Sequence, residues 1–352
     1  MKILQVVHGF PPRQRAGTEI YTYYLSKELA KRHEVHVFYP TLENVKEPIL
    51  VSFNQEGLIL HELKLPRSKV RRFLGALFFE NTYINREAEN AFKTMVASIR
   101  PNVIHFQHLI GLSATLIKIA REFNVPTVLT LHDYWFMCPN IQLLRHDYTV
   151  CIGPEPRRCH KCWIKRRSEE ISELLNSSYG VPQSLARKSL RLVLETLNSP
   201  RKFIERENYM KALLLKVDRI IAPSKFVRKL FIDYGVPEDK ITYSENGYDL
   251  RVFEGFKKKN KYTDRIVFGF VGGVSKHKGV HILIDAFMNI PDKKAELRIY
   301  GDYNPKSTYV REILSKAKKN IKFIGRFEDV REPYSEIDVL VAPSIWPETG
   351  GP

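Results

Sequence analysis

The stretch IVFGFVGGVSKHKG, residues 266–279, sets the reading of the whole chain. Its first six residues, rich in Val, Ile and Phe, suit a strand buried on both faces. Gly272 and Gly273 follow at once, then Lys276, His277 and Lys278, and an apolar helical pattern opens at Val280. A glycine pair between strand and helix lets backbone N–H groups from Gly272 onward face an anion, with the Lys278 ammonium beside them. That is a phosphate cradle. It has neither the GxxxxGK(S/T) spacing of a P-loop nor a GxGxxG fingerprint, which speaks against simple ATPase and dehydrogenase assignments. Close-packed glycine is the competing explanation of such a pair.

The same grammar runs outward in both directions. Toward the C-terminus, a helical pattern from Val280 to Asn289 leads to AELRIYGD, a second from Thr308 to Lys319 leads to NIKFIGR, and IDVLVAPS closes the series. Toward the N-terminus, KILQVV, a helix from Thr18 to Lys31, EVHVFYP, NVIHFQ, SATLIKIAREF and PTVLTLHD alternate in the same way. Alternating strands and helices predict parallel sheets covered by helices, hence an α/β chain of two Rossmann-like domains facing across a cleft. The boundary is expected in the lysine-rich polar stretch 254–264, giving an N-terminal domain 1–254 and a C-terminal domain 265–352. In such sheets ligands lie beyond the carboxyl ends of the strands. That rule selects loops 9–19, 105–108, 132–140, 272–279, 301–303 and 347–351.

Residues 138–216 break the alternation and read as a loop-plus-helix insertion holding all four cysteines, Cys138, Cys151, Cys159 and Cys162. CHKC is a tight pair of the spacing zinc sites use. A structural zinc held by all four thiolates is preferred for a cytosolic chain, with two disulfides or free thiols as alternatives. Between the second and third of these strands, KVRRFLGALFFENTYINREAENAF reads as helical, with Phe73, Leu74, Leu77 and Phe78 on one face. Packing on the sheet is preferred there to a membrane-surface helix.

The chain of 352 residues fits two domains, and its 43% apolar share is ample for packed cores. No apolar run reaches the roughly 18 residues a membrane span needs, and MKILQVV reads as a first strand rather than a signal peptide, so the expected location is the cytoplasm. A net charge of +17 favours polyanionic or phosphorylated partners, and part of it is concentrated in RRCHKCWIKRR, residues 157–167. This run lacks the interleaved aromatics of a nucleic-acid stacking platform, so a basic zinc-containing nucleic-acid-binding protein is the lesser reading.

Near the N-terminus, GFPPRQRAGTE repeats the cradle logic, with Gly17 opening a helix and Glu19 in its first turn. His132, at a strand's carboxyl end in TLHDYW, can donate to an oxygen that gains charge during reaction. SIWPETGGP, residues 344–352, ends the chain with Glu348, Gly350 and Gly351 after a strand, where backbone and a carboxylate can both approach a ligand.

In order, PPRQRAGTE, VIHFQH, TLHD, PSKFVRKLF, NGYDLRVF, FVGGVSKHKG and IDVLVAPSIWPETGGP resemble the family 4 retaining glycosyltransferases over essentially the whole chain. The resemblance implies the GT-B fold and transfer of a sugar, with retained configuration and no metal, from a nucleotide-diphosphate donor (UDP-, GDP- or ADP-sugar). The implied acceptor is a glycan or lipid-linked glycan, reached through peripheral contact with the inner face of the membrane. A GT-B relative of other sugar-nucleotide chemistry is an alternative. Lys278 then resembles the lysine that neutralises the leaving diphosphate, Glu348 the first glutamate of an E-x7-E motif meeting the donor sugar, Gly17 a backbone contact to phosphate, and His132 the histidine beside the reacting sugar. Two positions depart from the pattern. Gly273 stands where many relatives have arginine, so diphosphate charge would rest on Lys278 with help from Lys276 or His277, and the first loop has Ala16-Gly17 for a double glycine. The second glutamate of E-x7-E would lie beyond Pro352, so the C-terminal domain is expected to be incomplete and donor turnover weak or absent.

Overall fold

The computed structural model describes residues 1–258 and 265–350, side chains 69–72 and 177–179 apart. Two sheets organise it. The first has eight strands in the order β3-β4-β2-β1-β5-β6-β7-β8, where β1 is Lys2–Val6, β2 Glu34–Glu43, β3 Ile49–Gln55, β4 Leu58–Pro66, β5 Val103–Phe106, β6 Thr127–Thr130, β7 Arg219–Ala222 and β8 Ile241–Tyr243. All its pairings are parallel except β3 with β4. The second sheet is parallel, in the order β11-β10-β9-β12, with β9 Ile266–Val271, β10 Ala295–Tyr300, β11 Ile321–Gly325 and β12 Val339–Leu340. Each sheet has its own core: Leu4, Val6, Ile104, Phe106 and Leu129 belong to the first, Phe270, Leu297, Ile299 and Ile284 to the second. The first sheet's last strand ends at Tyr243 and the second's begins at Ile266, while residues 259–264 of the expected boundary lie outside the described residues.

Both sheets change winding direction at one point. From β1 the chain goes outward to β2 on one side and returns to β5 on the other; from β9 it goes to β10 and β11, then returns to β12. The crevice at such a reversal is where open α/β sheets bind ligands.

One pair of strands was not expected from sequence. Residues 49–66 form a hairpin whose two-residue turn, Glu56-Gly57, has φ of 51° and 81°. Both residues with positive φ suit the type I′ turn that matches strand twist. The segment read as one long helix is instead a helix Lys69–Leu77, a 3₁₀ turn Phe79–Thr82 and a helix Arg86–Ile99 capped by Asn85, whose side chain accepts from Ala88 N. Its apolar residues do not share a face: Leu77 and Phe79 enter the core, whereas Leu74 and Phe78 are exposed.

Between β6 and β7 lie a short hairpin bridged at Leu144 and Val150 and three helices, Pro156–Tyr179, Gln183–Leu197 and Pro200–Lys216. The first starts with Pro156 after the capping Glu155 and stops at Gly180, φ 68°, the Pro-in and Gly-out pattern of well-bounded helices. Among the described residues no helix is long and apolar enough to cross a membrane.

Candidate active site

Four loops flank the two reversals: 7–16 after β1 and 107–111 after β5 in the first sheet, where the His8 and His108 rings lie 4.6 Å apart, and 272–279 after β9 and the segment after β12 in the second. All four overlap loops selected from sequence.

In the second sheet the cradle is built from close contacts. Gly272 N donates to Tyr300 O and Val274 N to Asp302 O, so these two N–H groups are spent on the neighbouring strand's end rather than facing an anion as expected from sequence; one 3₁₀ turn, Lys276–Lys278, then ends at Gly279 and the helix Val280–Phe287 begins. Gly279 has φ 72°, and a Cβ there would lie 1.9 Å from Pro343 O. Only glycine fits. Gly273 faces open space, as does Gly17 at the start of the helix Gly17–Ala30, so backbone at both positions is open to close approach by a ligand. Ala16 gives that helix no side-chain cap, which leaves its first N–H groups unpaired by side chains.

Lys278 Nζ pairs with Glu348 Oε1 at 2.7 Å and lies 5.4 Å from the Trp346 ring centre, while Ser344 Oγ donates to the same carboxylate oxygen. The two residues of opposite charge singled out from sequence thus meet across the β9/β12 reversal. The other cations of that turn point elsewhere in role: Lys276 Nζ sits 4.4 Å from the Tyr148 ring centre, and burial, followed by the Lys278 charge, pushes His277 down to about 4. His277 is therefore neutral near pH 7, and Lys278 is the cation beside Glu348.

The Glu348 segment is tied to the first domain. Thr349 Oγ1 donates to His132 O at 2.6 Å, Tyr134 Oη donates to Pro347 O at 2.8 Å, and a Cβ on Gly350 would meet Asn246 Nδ2 at 2.7 Å. Gly351 lies outside the described residues.

His132 stands on the loop after β6 with its ring edge-on to Tyr21 at 4.9 Å. Its Nε2 lies 2.8 Å from Gln107 Oε1, and Gln107 Nε2 in turn reaches Gln5 Oε1 at 2.9 Å. An amide oxygen only accepts, so Nε2 carries the proton and Nδ1 keeps a lone pair. Burial, then neighbouring His108, pushes His132 down to about 3. The imidazole is neutral, with its one N–H engaged by Gln107, which differs from the free proton donor expected from sequence. Alongside it, His108 Nε2 bonds Asp133 Oδ2 at 2.5 Å; burial opposes the Asp133 charge, but His108 and the Trp135 N–H hold its carboxyl below the usual range. His8 Nε2 pairs with Glu19 Oε1 at 3.1 Å, and Glu19 Oε2 and His8 Nδ1 are buried with no partner among the described residues. Tyr21 was not singled out from sequence, whereas Gln107 and Asn246 were reached there only as members of the loop 105–108 and the motif NGYDLRVF.

The cysteines gather at the other side of this loop. Asn140 Nδ2 donates to Cys162 Sγ at 3.2 Å, Glu155 N donates to Cys159 Sγ at 3.4 Å, and the Cys151 thiol donates to Gly153 O at 3.2 Å. All four are free thiols, and burial pushes Cys138 up to about 12 and Cys159 up to about 11. Among the described residues no group of three or more His, Cys, Asp or Glu is arranged to hold a metal ion. The basic run is also partly paired: Arg158 with Glu155, and Arg166 and Arg167 with Glu170.

The family model Glycosyltransferase Family 4 matches residues 15–164 and 190–252, more than half of the chain, and the model Glycosyl transferases group 1 matches residues 265–352. No curated protein sequence matches. Among solved structures, Alr3699/HepE of Anabaena in complex with UDP and glucose aligns with 100% of this chain and 76% of its own at 15% identity and a TM-score of 0.56. A glycosyltransferase of Rickettsia africae covers 99% of this chain and 74% of its own at 16% identity and TM-score 0.54. The catalytic domain of starch synthase IV of Arabidopsis thaliana, bound to ADP and acarbose, covers 97% and 78% at 12% identity and TM-score 0.52. Likeness at these identities shows a shared fold, GT-B.

Proposed function

The chain belongs to Glycosyltransferase Family 4, and from that membership we propose that it moves a sugar, with retention of configuration, from a nucleoside-diphosphate sugar to a glycan or lipid-linked glycan acceptor. The observation that carries the reading is the Lys278–Glu348 pair at the β9/β12 reversal, joined through Thr349 to the loop of His132. A leaving diphosphate gains negative charge and needs a cation, which Lys278 offers, and backbone open to close approach, which Gly273 and Gly17 offer. Sugar hydroxyls need acceptors, which Glu348 offers. Donor binding would therefore exchange the resting ion pair for a new one, diphosphate on Lys278, and for hydrogen bonds from sugar hydroxyls to Glu348. An exposed pair of this kind contributes little by itself, roughly 0–1 kcal/mol, so the exchange is inexpensive.

His132, neutral with a lone pair on Nδ1, would accept from a donor-sugar hydroxyl rather than supply a proton. The acceptor would enter from the first domain, where Glu19 Oε2 and His8 Nδ1 have unfilled hydrogen-bonding capacity. Action at the inner membrane face, on an acceptor held by a lipid, fits the exposed Leu74 and Phe78 beside the sheet.

The test is ligand-observed NMR with UDP-, GDP-, ADP- and dTDP-sugars on the native chain and on Lys278→Ala. Binding of one nucleotide sugar, lost on substitution, supports the assignment; equal binding by the variant would remove Lys278 from the donor site. The anomeric coupling of the transferred sugar in product then tests retention.

A further inference from the structure

The insertion forms a second concavity, separate from the Lys278–Glu348 pair. It is a cavity of 330 Å³ lined by Arg145, His146, Arg158, Lys161 and Lys165, with the half-buried Cys162 and the exposed Asp147. Four full cations thus face one carboxylate. That carboxylate is already engaged: Asp147 accepts from Thr149 N at 3.0 Å and from Thr149 Oγ1 at 2.7 Å, bonds that hold it below the usual range. Arg158 has Glu155 at 3.5 Å, but Arg145, Lys161 and Lys165 have no carboxylate partner among the described residues. Lys165 Nζ instead lies 3.3 Å from His146 Nε2. Arg145 Nε is buried without a hydrogen-bond partner among the described residues, a donor whose desolvation nothing on the protein offsets. Like charges gathered around an unfilled donor are costly unless an anion bearing several oxygens joins them.

The cavity borders the reacting cleft. Tyr148, next to Asp147, has the Arg166 guanidinium 5.3 Å and the Lys276 ammonium 4.4 Å from its ring centre, and Lys276 begins the turn that carries Lys278. On the other side Cys162 accepts from Asn140, on the loop that carries His132.

We propose that this cavity binds a phosphate group carried by the acceptor, anchoring it beside the donor site through Arg145, Lys161 and Lys165. The word acceptor rests on the glycosyltransferase assignment; the phosphate site does not. Calorimetric titration with inorganic phosphate at low salt tests it on the native chain, on Arg145→Ala, Lys161→Ala and their double variant, and on Lys278→Ala, with UDP titrated in parallel. Each cavity substitution is expected to weaken phosphate binding about tenfold, leaving UDP affinity and melting temperature unchanged, while Lys278→Ala does the reverse. Lys161→Arg should retain phosphate. No binding of phosphate by the native chain, or binding that survives the double substitution, would overturn the proposal. Phosphate binding without any binding of UDP or UDP-sugars would leave the cavity standing and sink the donor assignment, so the two fail separately. Vesicles of phosphatidylglycerol identify the carrier: cosedimentation lost in the double variant assigns a lipid headgroup, and phosphate binding without cosedimentation assigns a soluble phosphorylated glycan.

Discussion

Gly279 shows how one residue can hold two loops in register. Its φ of 72° and the 1.9 Å separation between a hypothetical Cβ and Pro343 O mean that alanine would strain the backbone and push the β9 loop off the segment carrying Glu348. Gly279→Ala is expected to destabilise the C-terminal half by about 1–3 kcal/mol, read in denaturant melts, and to weaken donor binding with it. Gly273→Ala, facing open space, should leave stability unchanged. His132 supplies a pH test. Its folded value near 3 lies below the ordinary 6.5, so the unfolded chain takes up a proton first as pH falls. The stability this histidine contributes is full above about 6.5 and is lost on the way down toward about 3. His132→Gln should flatten the pH dependence of melting across that window, and an unaltered slope would contradict the neutral imidazole. Lys278, Glu348 and His132 were legible as residues because each follows a strand end, where short-range pattern predicts exposure to a cleft. The proton arrangement of His132 was not, since it depends on Gln107 and Gln5, which lie 102 residues apart in sequence.

At the scale of elements, the helix Pro156–Tyr179 does more than cover a sheet. Glu173 Oε1 accepts from Thr308 N at 2.9 Å, so a carboxylate of the first domain caps the helix Thr308–Lys316, whose own Ser307 provides no side-chain cap. Removing it should cost about 1 kcal/mol. Glu173→Ala is expected to speed hydrogen exchange of the first-turn amides of that helix while β9 amides stay protected; uniform acceleration would mean a global loss instead. The alternating strands and helices were readable because buried parallel strands are short, apolar and bracketed by amphipathic helices. The β3–β4 hairpin was not, because β3 is largely exposed and its turn is Glu-Gly rather than the more conspicuous Asn-Gly. Likewise the continuous apolar pattern around residues 69–92 concealed a break at Phe78, whose backbone is extended.

For the whole molecule, contacts between the two domains include hydrogen bonds from Thr349 to His132, Tyr134 to Pro347 and Thr308 to Glu173, and ring contacts of Trp346 with Tyr134 and of Lys276 with Tyr148. Domains joined in this way are expected to move relative to one another. Tyr134→Phe removes one hydrogen bond, worth about 1 kcal/mol, from the arrangement that positions Glu348. The donor KM should rise about fivefold with little change in kcat, and a fall in kcat alone would place Tyr134 in the chemical step instead. Two facing domains could be anticipated from the repeated strand-helix grammar, but which loops touch could not, because such contacts have no local signature. The Lys278–Glu348 pair also bears on selectivity in a crowded solution. A lysine that already has a counter-ion is a poor trap for the abundant small anions that would otherwise occupy it, since each must displace the carboxylate and leave it unsatisfied. A molecule bringing anionic oxygens and hydroxyl groups together satisfies both partners at once, so the empty cleft stays available for sugar nucleotides without needing high affinity for them.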